Sequence, residues 1–220
     1  MLYVVATPIG NLDDITIRAL ETLKKVDLIA CEDTRHSGIL LKQYEIKKPL
    51  LSFHSHSGEA KVEKILDYLK EGKSVALISD AGTPGISDPG YALIQAVIKA
   101  GFNVCPIPGP SAVITALCAS GLPTDKFTYM GFLPVKKGRQ TLFQQMATHP
   151  YTMVFYESPH RLEKTIKDLK VHLKKETKIV IGKELTKIHE TYLRGTLEDI
   201  EKTLSSIKIK GEYVVMISNV

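Results

Sequence analysis

Four short apolar runs, each followed by a polar loop and then a stretch of helical periodicity, leave the first half of this chain few folds to choose from. Leu2–Val5, Leu28–Cys31, residues 74–78 and residues 102–107 are apolar without alternation, the pattern of strands buried on both faces. Strand and helix in repeated succession imply a parallel sheet with covering helices, a fold of the α/β class. In such a sheet every strand points its carboxyl end the same way, so the loops after the strands collect along one edge. That edge is where α/β proteins bind ligands.

The loop richest in special chemistry follows the third run. From Ser79 to Gly90 it holds Gly82, Gly85, Pro84, Thr83, Asp80 and Asp88, more polar and backbone-bending residues than a plain connection needs. Small residues let a ligand approach the backbone, and Asp80 is placed to accept hydrogen bonds from a ribose or an ammonium group. Asp88 is expected to cap the following helix, with Pro89 at its first position and Leu93, Ile94, Val97 and Ile98 as its apolar face; Gly101 ends it. A tight turn without a ligand is the competing reading.

Three more loops share the edge. Thr7-Pro8-Ile9-Gly10-Asn11-Leu12 follows the first strand, and Asp13 or Asp14 is expected to cap a helix presenting Ile17, Leu20 and Leu23. Glu32-Asp33-Thr34-Arg35 ends the second. Pro108-Gly109-Pro110-Ser111-Ala112 follows the fourth and starts a helix whose amino terminus favours a carboxylate or phosphate. Between them, residues 50–56 are extended, placing His54 and His56 on one face. Two imidazoles without further ligands in reach do not make a metal site, and none is expected.

Gly121-Leu122-Pro123-Thr124-Asp125 breaks the regularity and marks the expected boundary. Residues 1–120 are read as the α/β domain with a mostly parallel sheet, and 121–220 as an α+β domain with a mixed sheet. In the second, strands are expected at 127–132, 152–156, 178–182, 189–194 and 213–218. Helices are expected at 138–147, from Ser158-Pro159, and from Thr196, with Asp199 completing a capping box.

Charge divides the same way. Residues 1–110 hold 12 basic and 13 acidic side chains, and residues 111–220 hold 17 and 11, so the carboxyl half carries a net +6. A basic half suits a polyanion such as RNA, although lysines on helix faces are also simply solvated. Cys31, Cys105 and Cys118 are widely spaced and odd in number, which suggests free thiols rather than a disulfide framework or zinc site. No apolar run approaches the roughly 20 residues of a membrane span, and the amino terminus carries no signal-peptide pattern, so a cytoplasmic protein is expected. The nucleotide fingerprints G-x-G-x-x-G and G-x-x-x-x-G-K-[ST] are missing, as is G-x-S-x-G. Polar loops converging at one sheet edge fit a nucleoside-type ligand in a cleft between the halves.

Taken in order, the loops named above, with Gly131-Phe132-Leu133-Pro134, Phe155-Tyr156-Glu157-Ser158-Pro159-His160-Arg161 and Glu184-Leu185-Thr186-Lys187, closely resemble the bacterial 16S rRNA (cytidine-2'-O)-methyltransferase I family. That family is a branch of the tetrapyrrole methylase superfamily, and the resemblance covers essentially the whole chain. It implies two α/β domains with S-adenosyl-L-methionine between them, usually as a homodimer. The implied substrate is the ribose 2'-hydroxyl of cytidine 1402 in 16S rRNA, naked or in the small ribosomal subunit, with no role for DNA or membrane. For the cofactor it implies Pro8 and Gly10, then Asp80 and Thr83, then Ser111 and Ala112, and from the second domain Phe155, Tyr156 and Leu185. Lys183 stands where Arg is common in similar proteins, so a forked donor becomes a point charge. Some relatives extend further at the carboxyl end, which here leaves RNA binding to the core.

A ribose hydroxyl is a weak nucleophile near neutral pH and must be oriented and relieved of its proton. Glu32, Asp33, Glu184 and Glu190 are the candidate carboxylates, and His54, His56 and His160 the imidazoles. Glu32 or Asp33 is favoured because each sits at a strand end beside Arg35, which could hold the adjoining phosphate; a helix cap paired with that arginine is the alternative. Lys136, Lys137 and Arg139 are read as a basic loop on RNA phosphate, with His160 and Arg161 as RNA-orienting groups. Two readings of other classes stay open, a methyltransferase of the same fold acting on a tetrapyrrole-like small molecule and a non-catalytic RNA-binding protein.

Overall fold

Strands form where the apolar runs stand. β1 (Leu2–Val5), β2 (Leu28–Cys31), β3 (Leu50–Ser52), β4 (Val75–Ile78) and β5 (Val104–Ile107) lie in the order β3-β2-β4-β1-β5, every neighbouring pair parallel. The computed structural model describes residues 1–54 and 57–219, and the chain divides into two units, Met1–Ser111 and Ala112–Val220. This sheet is the first.

Right-handed crossovers settle which face each helix covers. From β1 through β2 to β3 the chain moves one way along the sheet, and from β3 through β4 to β5 it moves back. Accordingly α1 (Ile17–Lys25) and α2 (Thr34–Gln43) pack Ala19, Leu23, Leu40 and Leu41 on one face, against Val5, Ile29, Cys31, Ala76 and Ile78. On the other face α3 (Glu59–Lys70) and α4 (Tyr91–Lys99) set Ile65, Leu69, Leu93 and Val97 against Leu2, Leu28, Ala30, Val75 and Leu77. Alternate residues of one strand feed two cores, which is why these strands show no alternation in sequence.

Two expected helix starts are corrected. α1 is capped by Thr16, whose hydroxyl accepts the Ala19 N–H at 3.1 Å, while Asp13 and Asp14 belong to a preceding 3-10 turn (Leu12–Asp14). Ile17 is 78% exposed and lies outside the buried stripe. α4 starts at Tyr91 behind Gly90, so Asp88 lies two residues too early to cap it. Gly90 has φ 149°, and a Cβ there would stand 3.1 Å from a Leu77 methyl and 3.3 Å from the Gly85 nitrogen. Only glycine lets the loop fold back on itself at that point.

The second unit holds a mixed sheet of β6 (Phe127–Phe132), β7 (Thr152–Glu157), β8 (Lys178–Lys183), β9 (Thr191–Thr196) and β10 (Tyr213–Ser218), ordered β6-β7-β10-β8-β9. β6 runs parallel to β7, and the other pairs are antiparallel. Helices α6 (Arg139–Ala147), α7 (Pro159–His172) and α8 (Leu197–Ser206) bury Phe143, Leu162, Ile166, Ile200 and Leu204 on one face, against Met153, Phe155, Ile179, Val215 and Ile217. Thr196 and Asp199 form the expected capping box. α5 (Ala112–Cys118) also belongs to this unit. Tyr192 Oη donates to the Thr115 carbonyl at 3.2 Å, and the Arg194 guanidinium donates to the carbonyls of Ala119 (2.6 Å) and Ser120 (3.3 Å). Among the described residues no helix is long and apolar enough to cross a membrane.

Candidate active site

The carboxyl edge of the first sheet is stitched together by backbone. Thr7 and Gly82 exchange N–H···O=C bonds of 2.9 and 3.0 Å, joining the loop after β1 to the loop after β4. The Thr7 hydroxyl donates to the Ser79 carbonyl (3.1 Å) and the Thr83 hydroxyl to the Pro110 carbonyl (3.2 Å), which brings in the loop after β5. Gly109 passes so close to Ala6 that a Cβ would meet the Ala6 methyl at 3.0 Å. Among the expected cofactor residues of this unit, Pro8 is buried, Asp80, Thr83 and Ser111 are half-buried, and Gly10 is exposed. All stand on these interlocked loops. β4 sends its chain to the opposite face from β1 and β2, so this edge is a topological switch point, the position at which ligands bind in open α/β sheets.

Carboxylates gather on the β2 side of that switch point. Asp80 Oδ1 accepts the Asp33 N–H at 3.1 Å, tying the loop after β4 to the end of β2. Asp33 itself is the cap of α2. Its Oδ1 accepts from the Arg35 N–H (2.8 Å) and Nε (3.2 Å) and its Oδ2 from Nη2 (2.9 Å), and these bonds lower its pKa to about 2. This is the helix-cap arrangement, with Arg35 as the exposed partner of Asp33, and the lowered pKa makes Asp33 the weaker base of the two neighbouring carboxylates. Glu32 is different. Burial raises its pKa, the neighbouring Asp80 charge raises it further, and His54 opposes them more weakly.

Asp88 is the functional candidate that sequence reasoning missed. Burial pushes its carboxyl up to about 6, a hydrogen bond with Ser79 opposes the shift, and the charges of Glu32 and Asp80 add to it. Two carboxylates with raised proton affinity at a sheet edge mark a place where a proton can be held or moved. The signal available in sequence was an aspartate at each end of one glycine-rich loop. Among the described residues no group of three or more His, Cys, Asp or Glu is placed to hold a metal ion. The His54 backbone N–H donates to Ser57 Oγ at 2.9 Å; His56 lies outside the described residues.

The second unit sorts its expected residues sharply. Phe155 is wholly buried in the core under α6 to α8, so its side chain contacts no ligand. Tyr156, the next residue on the strand, is half-buried on the opposite face, and Leu185 is buried over Gly182. Glu184 and Glu190 do structural work: Glu184 Oε1 accepts from Lys187 Nζ and the Glu212 N–H, both at 2.9 Å, and Glu190 Oε2 accepts the Thr186 N–H at 2.6 Å. Arg139 is only 6% exposed, with Nε on Asp168 Oδ2 (3.1 Å), Nη2 on Thr165 Oγ1 (2.8 Å) and Nη1 on the Pro134 carbonyl (3.0 Å). Its direct contact with RNA is therefore withdrawn. Arg161 also turns inward, to Glu157 and to the Leu133 carbonyl (2.7 Å), whereas Lys136, Lys137 and His160 stay exposed.

Comparison with known proteins follows the same lines. Residues 1–201 match the family of tetrapyrrole (corrin/porphyrin) methylases. Among curated proteins, the ribosomal RNA small subunit methyltransferase I of Haemophilus influenzae is 49% identical over 99% of this chain and 78% of its own length. The protein of the same name from Thermotoga maritima is 45% identical, over 99% of this chain and 97% of its own. Among solved structures, the methyltransferase CobJ superposes with a TM-score of 0.75 at 19% identity, covering 100% of this chain and 94% of that one. A cobalt precorrin-4 methyltransferase superposes at 0.73 and 21%, covering 99% and 94%. Those two likenesses are of fold.

Proposed function

The chain belongs to the tetrapyrrole methylase family, in its small-subunit ribosomal RNA methyltransferase I branch, and from that premise we propose that it transfers a methyl group from S-adenosylmethionine to small-subunit ribosomal RNA. The proposed acceptor is the ribose 2'-oxygen of cytidine 1402. The observation that carries the choice of substrate is the contrast in identity: 45–49% to the rRNA enzymes over nearly the whole chain, against 19–21% to CobJ and the cobalt precorrin-4 methyltransferase, which share the fold. A cytoplasmic setting and a homodimer belong to the same proposal.

Bound S-adenosylmethionine supplies an electrophilic methyl on a sulfonium. The stitched loops fit such a group, because a wall of small residues lets it reach backbone, and glycine at 109 lets the loop after β5 pack directly on Ala6. Pro8, Gly10, Thr83 and Ser111 would line it, and Asp80 would accept from ribose hydroxyls or the ammonium through the oxygen that Asp33 does not use. Glu32 would orient the substrate hydroxyl and take up its proton as the methyl–oxygen bond forms and the methyl–sulfur bond breaks, leaving the neutral thioether S-adenosylhomocysteine; its raised proton affinity matches that task. Asp88, pushed up to about 6, adds its charge to the field that raises the proton affinity of this edge.

The test is transfer of labelled methyl to small ribosomal subunits lacking the modification, followed by mapping of the label. Label on one cytidine 2'-oxygen is expected. Transfer to a tetrapyrrole but not to RNA would replace this reading, and binding of RNA without cofactor affinity would remove the enzyme altogether.

A further inference from the structure

Two arginines that were expected to touch RNA are turned inward, and what they hold is one loop. Arg161 donates to the Leu133 carbonyl (2.7 Å) and Arg139 to the Pro134 carbonyl (3.0 Å). Beneath them Glu157, 2% exposed, accepts from Arg161 Nε (3.0 Å) and Nη2 (3.1 Å), Thr165 Oγ1 (2.6 Å) and the Ser158 N–H (2.9 Å). Thr165 in turn accepts from Arg139, and Asp168 completes the charge balance. Buried charges are costly unless fully paired, and here the paired set ends on two carbonyls of residues 133–134. Rigidity of that loop is its product.

A second observation lies at the start of the same loop. Tyr129 pairs with Val154, but Phe132 rather than Gly131 pairs with Tyr156, so β6 carries one extra residue there. Bulges are rare between parallel strands, and this one has Gly131 at φ 61°. The slip re-aims Phe132 to the Tyr156 side of the sheet, where the rings of Tyr129 and Phe132 both stand 5.5 Å from that of Tyr156. Phe132 is nevertheless 57% exposed, and Lys136 and Lys137 follow it on the solvent side of the pinned loop.

We propose that residues 132–137 form a preorganised contact for unpaired RNA, in which Phe132 stacks on a base, Lys136 and Lys137 meet phosphates, and Arg139 and Arg161 are positioning residues. A single-stranded nucleic acid is the occupant that needs both halves: a π-face for a base and cations for its backbone. The net charge of +6 on residues 111–220 has the matching sign. This inference rests on the ribosomal RNA reading above and adds the residue that recognises the substrate strand.

Steady-state transfer to unmodified small subunits tests it, with KM for subunits, KM for S-adenosylmethionine and kcat measured separately at several salt concentrations. Phe132→Ala is expected to raise the subunit KM by about tenfold or more, with kcat and the cofactor KM within about twofold, and Phe132→Tyr to restore it. Replacing Lys136 and Lys137 together by Ala should lower the salt slope of subunit binding by about two. Arg161→Lys should raise the subunit KM while leaving the cofactor KM in place. A subunit KM unchanged in Phe132→Ala, while the unaltered protein methylates normally, overturns this inference alone. A fall in cofactor affinity with Phe132→Ala overturns it too, by making the residue part of the fold or of the cofactor site. No transfer by the unaltered protein overturns this and the proposed function together.

Discussion

Glu157 in the second unit and the Glu32–Asp80–Asp88 cluster in the first handle negative charge in opposite ways. Glu157 is nearly inaccessible and fully compensated, by an arginine, a hydroxyl and a backbone N–H. Glu32 and Asp88 are less buried, yet their pKa values rise, because burial and like charges outweigh the opposing pull of His54 on Glu32 and of the Ser79 hydrogen bond on Asp88. Compensated charge fixes shape; uncompensated charge is free to take a proton. The first arrangement holds a loop, and the second is the proton acceptor in the proposed reaction.

That contrast can be broken from either side. The largest effect is expected from Glu157→Gln, which strands Arg161 beside a neutral amide and should lower unfolding free energy by about 3 kcal/mol in urea titrations; a loss well under 1 kcal/mol would remove the structural half of the contrast. Glu32→Gln should slow methyl transfer by about 100-fold in single-turnover assays while leaving cofactor affinity intact, and a matching loss of affinity would make Glu32 a binding group instead. Asp80→Ala should weaken S-adenosylmethionine binding about tenfold by calorimetry, and equal affinity would move the cofactor contact elsewhere on the loop.

Smaller effects sharpen it. Asp88 has a folded pKa of about 6, above its ordinary 3.8, so between those values the folded protein binds the extra proton and stability falls as pH rises. Asp88→Asn should therefore raise the melting temperature at pH 7.5, by an amount worth about 1 kcal/mol once solvent screening is allowed for, and hardly change it at pH 4. Least of all should come from Asp33→Asn, which keeps an N-cap acceptor: transfer within about twofold of the unaltered protein is expected, and a hundredfold loss would return Asp33 to the catalytic set.

Much of the architecture was legible because its causes are local. A strand buried on both faces must be apolar at every position, and β1, β2 and β4 are. Thr196 and Asp199 announce a helix start three residues apart, and Pro8, Gly82, Gly109 and Pro110 announce loops that hug their backbone. What misled were residues whose meaning depends on distant partners. Arg139 and Lys137 are both cations near one loop in sequence, and only the positions of Thr165 and Asp168 send one inward and leave the other in water. Phe155 and Tyr156 are adjacent aromatics on one strand, and alternation across the sheet gives one to the core and the other to the opposite face.

From the sequence alone came the parallel α/β first half, the mixed second half, the edge where chemistry gathers and, through ordered motifs, the family. Tertiary structure alone decided which carboxylates keep uncompensated charge, which arginines serve as clamps and, through the bulge at Gly131, which way Phe132 looks. The division has one physical cause. Periodicity and backbone preference act within a few residues and are written in the chain, whereas proton affinity, burial and the aim of a side chain are set largely by groups distant in sequence, brought near only by folding.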